Sequence, residues 1–182
     1  MVWLLASEEE LKAIETLHRE SDRSAAIVAA AIVDTKLTSA LIAFLHKNQN
    51  ITGQFFRTSW PLGSFANKID LALLIGLCGR ELHRELITMK DIRNAFAHSI
   101  SVTDFNTQRI ADLTKNFRLI ESCTAEESEG SKKEKPPYPV LLGVTQRAEL
   151  LSLPRGRYLL SARVFIAAFD SQRDCRMPEP WF

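Results

Sequence analysis

Arg93, Asn94 and His98 stand within one hexapeptide, Arg93-Asn94-Ala95-Phe96-Ala97-His98, where polar groups with possible chemistry sit close together. On a helical wheel of about 100° per residue, Met89, Ile92 and Phe96 share one face. Asn94 and His98 lie one turn apart on the opposite side, with Arg93 and Ala97 between them. The three polar groups therefore form an arc directed away from the core. An arginine holds a phosphate oxygen through two parallel bonds and keeps its charge. A histidine titrates near neutrality and moves protons. With Asn94 orienting either partner, the set suits RNA cleavage without a metal. His98 would take the proton from a 2′-hydroxyl, or give one to the leaving oxygen, and Arg93 would stabilise the charged phosphorane. The same residues also fit a structural arrangement. In it Arg93 pairs with a carboxylate, Asn94 is solvated, and His98 meets the carbonyls at its helix end.

Other chemistries have less support. His18, His46, His83 and His98 fall in no HExxH or Cys/His pattern, so no metal and no cofactor is expected. No GxSxG, Walker or GxGxxG segment occurs. Ala72, Gly76 and Leu82 have helix-turn-helix spacing. The preceding helix is apolar nearly all round, however, and packing and a helix cap account for Gly76 and Gly79, which argues against direct DNA reading. The net charge of +1 over 182 residues gives no global field for nucleic acid. Cys78, Cys123 and Cys175 are odd in number, far apart and form no CxxC pair. They read as reduced, core-filling thiols of a cytoplasmic protein. The apolar run in MVWLLASEEE is too short for a signal peptide, and no basic residue precedes it. Ala25–Val33 stops at Asp34, and Leu71–Cys78 is shorter than a bilayer span, so no membrane helix is expected.

The elements that must position the arc are helices, because no run alternates apolar and polar residues. Ser7-Glu8-Glu9-Glu10 is a capping box opening a helix over Glu8–Arg19. Asp22 caps a second over Arg23–Lys47, where Ile27, Ala30, Ala31, Leu37, Leu41, Phe44 and Leu45 recur at helical spacing. Its Ala25–Ala31 patch lets another helix approach closely. Asp34 lies inside this apolar face, either at its edge or paired with a base such as Arg23 or Lys68. His46–Trp60 reads as a loop ending in a Pro/Gly turn. Ser64 caps a helix over Phe65–Leu77 that Gly79 ends, and its apolarity on every side marks it as central. Glu81–Leu86 forms a short turn. Thr88-Met89-Lys90-Asp91 opens the helix over Met89–Ser99 that carries the arc. Thr103 or Asp104 caps another over Asn106–Ser122. Ala125–Pro139 has three prolines and opposed charge blocks, as a linker or excursion does. Val140–Leu153 is ambiguous. Pro154 suits the first position of a last helix with Tyr158, Leu159, Ala162, Phe165, Ile166 and Phe169 inward. Residues 173–182 read as an irregular tail.

Several of these segments, taken in order, resemble the mannitol operon repressor (MltR) family. They are Asp22-Arg23-Ser24-Ala25-Ala26, PLGSF with Lys68-Ile69-Asp70-Leu71-Ala72, Gly76-Leu77, Ile92-Arg93-Asn94 and Phe96-Ala97-His98. The likeness covers about Glu20–Glu121. It implies a helical bundle, a bacterial cytoplasmic setting, and transcriptional regulation through a protein partner without a standard DNA-binding domain. Arg93-Asn94-x-x-x-His98 also resembles the Arg-x4–6-His signature of HEPN domains. These are helical bundles that usually dimerise, and many are metal-independent ribonucleases. That likeness implies Arg93 and His98 as the catalytic pair and Asn94 as polar helper.

The sequence thus leads to an all-α, single-domain bundle of five or six mostly antiparallel helices. Residues 1–124 and 140–172 form the bundle, and 125–139 the linker. A cytoplasmic homodimer through the Arg93/His98 side is expected. The leading function is a non-enzymatic regulator acting on an unknown protein partner. The alternative is a HEPN-like endoribonuclease of the toxin or defence type, with RNA as substrate and Arg93, Asn94 and His98 as its catalytic residues.

Overall fold

The computed structural model describes residues 13–14, 16–45, 49–123 and 144–171. A 3-10 turn at Leu17–Arg19 precedes α1 (Asp22–Phe44), α2 (Gln49–Phe55), α3 (Phe65–Leu74) and α4 (Arg80–His98). Then come α5 (Gln108–Thr114), α6 (Leu119–Cys123), α7 (Val144–Ser152) and α8 (Pro154–Ser171). No strand occurs among the described residues, so the chain is an all-α bundle. Most of the expected first helix, the charged linker and the tail lie outside the described residues.

The centre is α1 against α8, with α4 packed on α1. Neither is the helix that composition suggested. In α3 only Lys68, Ile69 and Ala72 are buried, and Leu74 is 82% exposed. By contrast no residue between 154 and 170 is exposed, and Tyr158, Phe165 and Phe169 are fully enclosed. The short side chains of Ala25, Ala26, Ala29 and Ala30 give α8 room against α1. There the Tyr158 hydroxyl donates to Ala26 O at 2.9 Å. Burial pushes the Tyr158 phenol well above its ordinary range. Phe96, Phe105, Tyr158, Phe117 and Phe165 form a string of ring contacts with centroids 4.9 to 6.1 Å apart, typical of tilted aromatic packing.

By length and composition α1 is apolar enough to cross a membrane. In this fold its Ala25–Leu41 side is buried, and three of its charged residues, Asp22, Asp34 and Lys36, are paired internally. Lys68 Nζ donates to Asp34 Oδ1 at 2.8 Å, which decides the partner of Asp34, and Lys36 Nζ reaches Asp170 Oδ1 at 3.0 Å. Removing one partner of such a pair strands a charge, so these bonds fix which faces of α1, α3 and α8 meet.

The boundaries depart from local pattern where distant side chains intervene. Ser21, not Asp22, is the N-cap of α1, its hydroxyl accepting from Ser24 N. The Asp22 carboxylate is used elsewhere. His46–Trp60 is not all loop: α2 lies within it, too exposed at Ile51 and Phe55 to show an apolar stripe. The helix starting at Ser64 ends at Leu74, and Gly76 at φ 75° makes the reversal. Gly76 N bonds Leu73 O and Cys78 N bonds Ala72 O, satisfying end carbonyls. Gly79, extended at φ −79°, is the N-cap of α4 rather than a helix end.

The turn at Glu81–Leu86 and the helix after Thr88 are one helix, α4. Thr88 Oγ1 donates back to Arg84 O inside it and caps nothing. Leu82, Leu86, Met89, Ile92 and Phe96 run as one buried stripe. The expected helix over Asn106–Ser122 is broken into α5 and α6. The N-cap of α5 is Thr107 rather than Thr103 or Asp104; Asp104 Oδ1 instead accepts from Asn106 N and Thr107 N in the turn before the helix. The ambiguous segment before Pro154 contains α7, and Pro154 opens α8.

Gly156 lies where α8 crosses α7. A Cβ there would stand 2.2 Å from Leu150 O, a backbone atom that cannot rotate away. Gly156→Ala is expected to lower the unfolding free energy by about 1–3 kcal/mol, the usual range for overpacking. Urea denaturation beside wild type checks this, and an unchanged midpoint would contradict the close crossing.

Candidate functional site

The arc sits on the last two turns of α4 because the opposite stripe of that helix is core. Met89, Ile92 and Phe96 are fully buried, whereas Arg93, Ala97 and His98 are exposed and Asn94 is half-buried. Arg93 Nη1 donates to Asn94 Oδ1 at 2.8 Å. Among the described residues Arg93 has no carboxylate partner, and the His98 ring makes no hydrogen bond. Among the described residues, then, neither contact of the structural arrangement forms.

The carbonyls at the end of α4 are taken instead by Arg23. Its Nη1 donates to Phe96 O, and its Nη2 donates to Ser99 O at 3.1 Å and Val102 O at 3.0 Å. A cation at a helix C-terminus meets both unsatisfied carbonyls and the negative end of the dipole. This leaves the His98 imidazole free of that task. Two residues on, Ile100 is 93% exposed. The arc thus consists of a solvent-facing guanidinium, amide and imidazole beside an unprotected apolar side chain.

Sequence reasoning missed a second constellation, on the first half of α4. Glu85 lies within the buried stripe, three residues after Leu82 and four before Met89, and is only 4% exposed. Its Oε1 accepts from Arg118 N at 2.6 Å and Leu119 N at 2.8 Å, capping the break that separates α5 from α6. From the other side Arg157 donates to Thr114 O at 3.2 Å and Phe117 O at 2.6 Å. The wheel position of Glu85 among leucines was the available signal. His83 was also missed: its Nε2 lies 2.9 Å from Asp70 Oδ1, joining α3 to α4.

No group of three or more His, Cys, Asp or Glu able to hold a metal occurs among the described residues. Cys78 is buried, and burial pushes its thiol up to about 11, so it is a packing residue rather than a nucleophile. Compared with known proteins, no family model, no curated protein and no solved structure matches the chain.

Burial pushes the Glu85 carboxyl above its ordinary value of 4.5. Leu119 N and Arg118 N oppose the rise, Glu81 adds to it, and Arg157 opposes it. A raised pKa means that the folded state binds the proton more tightly than the unfolded chain does. This contribution is therefore complete below about 4.5 and is lost as pH climbs through the raised value. Glu85→Gln keeps the oxygen that caps α6 and has no charge. Wild type is expected to lose stability relative to Glu85→Gln from acid to neutral pH in urea titrations. Parallel curves would contradict the assignment.

Proposed function

We propose that this chain is a cytoplasmic regulator of the mannitol operon repressor type that acts through protein–protein contacts and reads no DNA sequence directly. The observation that carries the reading is Ile100, almost fully exposed beside the exposed Arg93, Ala97 and His98. An apolar anchor within a polar rim containing arginine is the composition of a docking surface. The first turns of α4 support the exclusion of DNA. Gly76 does reverse the chain between α3 and α4, with Ala72 and Leu82 buried on either side. The exposed charges that follow are mixed, Arg80 and Arg84 flanking Glu81, and present no basic stripe to a phosphate backbone. A second copy of the chain is the first partner we assign to the α4 end, with a target protein bound by the assembled dimer.

Ile100→Asp and Arg93→Glu are each expected to shift the chain from dimer to monomer in sedimentation equilibrium, with unchanged circular dichroism. A wild-type monomer, or variants as dimeric as wild type, would refute the docking role.

One observation favours a second reading, a HEPN-like metal-independent endoribonuclease. The His98 ring is exposed and makes no hydrogen bond among the described residues, while Arg93 is held by Asn94 on the same face. Two such arcs brought together by a dimer would supply the acid, the base and the anion clamp that phosphodiester cleavage needs. The regulator reading predicts no RNA cleavage in EDTA by wild type or by a folded His98→Ala variant. Cleavage by wild type that is lost in folded His98→Ala would replace it with the ribonuclease.

A further inference from the structure

The first half of α4 and the α5–α6 break enclose a groove of about 400 Å³, lined by Glu81, Arg84, Glu85, Thr88, Asn116 and Arg118. The volume is that of a small-molecule site, but the lining is polar where most such sites are apolar. Glu85 is buried, and only its Oε1 is engaged by the backbone. Its Oε2 is shielded from solvent and accepts no hydrogen bond from any described residue, so the carboxyl acts on the groove through its charge. A buried acceptor left without a donor is costly. Arg84 and Arg118 are exposed at the same groove, and neither guanidinium has an ion pair among the described residues.

These charges select the ligand. An apolar occupant would strip water from two guanidiniums and two carboxyls and return nothing. A simple anion would meet Glu81 and Glu85, and a simple cation would meet Arg84 and Arg118. A molecule carrying both signs satisfies all four groups. An ammonium or guanidinium pairs with the exposed Glu81 and lies in the field of the Glu85 carboxyl beneath it, and a carboxylate matches the fork of an arginine. Asn116, exposed at the rim, adds an amide that can serve as donor or acceptor. We propose that this groove binds a small zwitterion of the amino-acid class, its cationic group at Glu81 above the buried Glu85 carboxyl and its carboxylate at Arg84 and Arg118. The groove lies about 12 Å along α4 from the Arg93–His98 arc, at 1.5 Å per residue. The two are separate places on the helix, so this proposal does not rest on the role given to the arc.

The test is a chemical-shift titration of the full chain with each standard L-amino acid, beside valerate as carboxylate alone and butylamine as ammonium alone. At least one amino acid is expected to saturate the chain and move the signals of Asn116 and Arg118. Valerate and butylamine should bind at least about tenfold more weakly, a difference of about 1.4 kcal/mol. Arg118→Ala, at the exposed rim, and Glu85→Gln should each weaken the amino acid to a similar degree with the fold intact. No saturable shift with any amino acid would overturn the proposal. So would valerate binding as tightly as the amino acid, which would mark a plain anion site, or full affinity in folded Arg118→Ala.

Discussion

The Arg23 guanidinium fixes the end of α4, and the exposed surface of this protein depends on it. Three carbonyls converge on that one group, from Phe96, Ser99 and Val102. Beside it, Asp22 Oδ2 accepts from Phe105 N at 2.8 Å, and Asp22 Oδ1 holds Arg155 of α8. Two adjacent residues in the first turn of α1 therefore anchor the chain leaving α4 and the start of α8. Hydrogen bonds to charged groups are worth about 1.5–3 kcal/mol each, roughly twice the neutral ones. Because Arg23 takes the carbonyls, His98 is left outward, and the next residues place Ile100 in solvent. A structural bond at the back of the helix thus creates the chemical character of its front.

The same device recurs through the molecule. Arg155 also gives its Nη2 to Leu17 O and Glu20 O, both at 2.6 Å, closing the 3-10 turn. Arg157 and Glu85 take the carbonyls and amides at the break between α5 and α6. Tyr158 reaches a carbonyl in the middle of α1. Short helices leave many unpaired end groups for their length. In this chain those groups are met by long side chains from distant elements, chiefly the first turns of α1 and α8. The apolar core supplies cohesion, and these polar ties choose the register in which the helices dock.

This explains what could be read from the residues and what could not. The all-α class, the inward face of Met89, Ile92 and Phe96, the outward arc and the start at Pro154 all follow from spacing within one helix, and they agree with the structure. Capping signals were weaker guides. Ser64 caps as its pattern says, whereas Thr88 shows the same kind of pattern in mid-helix, where its hydroxyl returns to Arg84 O. The division of α5 from α6 was not legible, because Glu85 and Arg157 impose it from 33 or more positions away in the chain. The uniform apolarity of α3 misled for a related reason. Apolar composition does not say which side finds a partner, and Leu74 finds none within the described chain. The Glu85 groove was visible only as one acidic residue in a leucine stripe.

Hydrogen–deuterium exchange on wild type and Arg23→Met tests most directly whether one half-buried guanidinium holds the α4 end and its exposed surface. The amides from Ala97 to Phe105 should lose protection well beyond any change in α7 and α8, while Leu86 to Ile92 stay protected. Equal loss across all helices would mean that Arg23 contributes only to overall stability. No loss at Ala97 to Phe105 would mean that the arc holds its place without it.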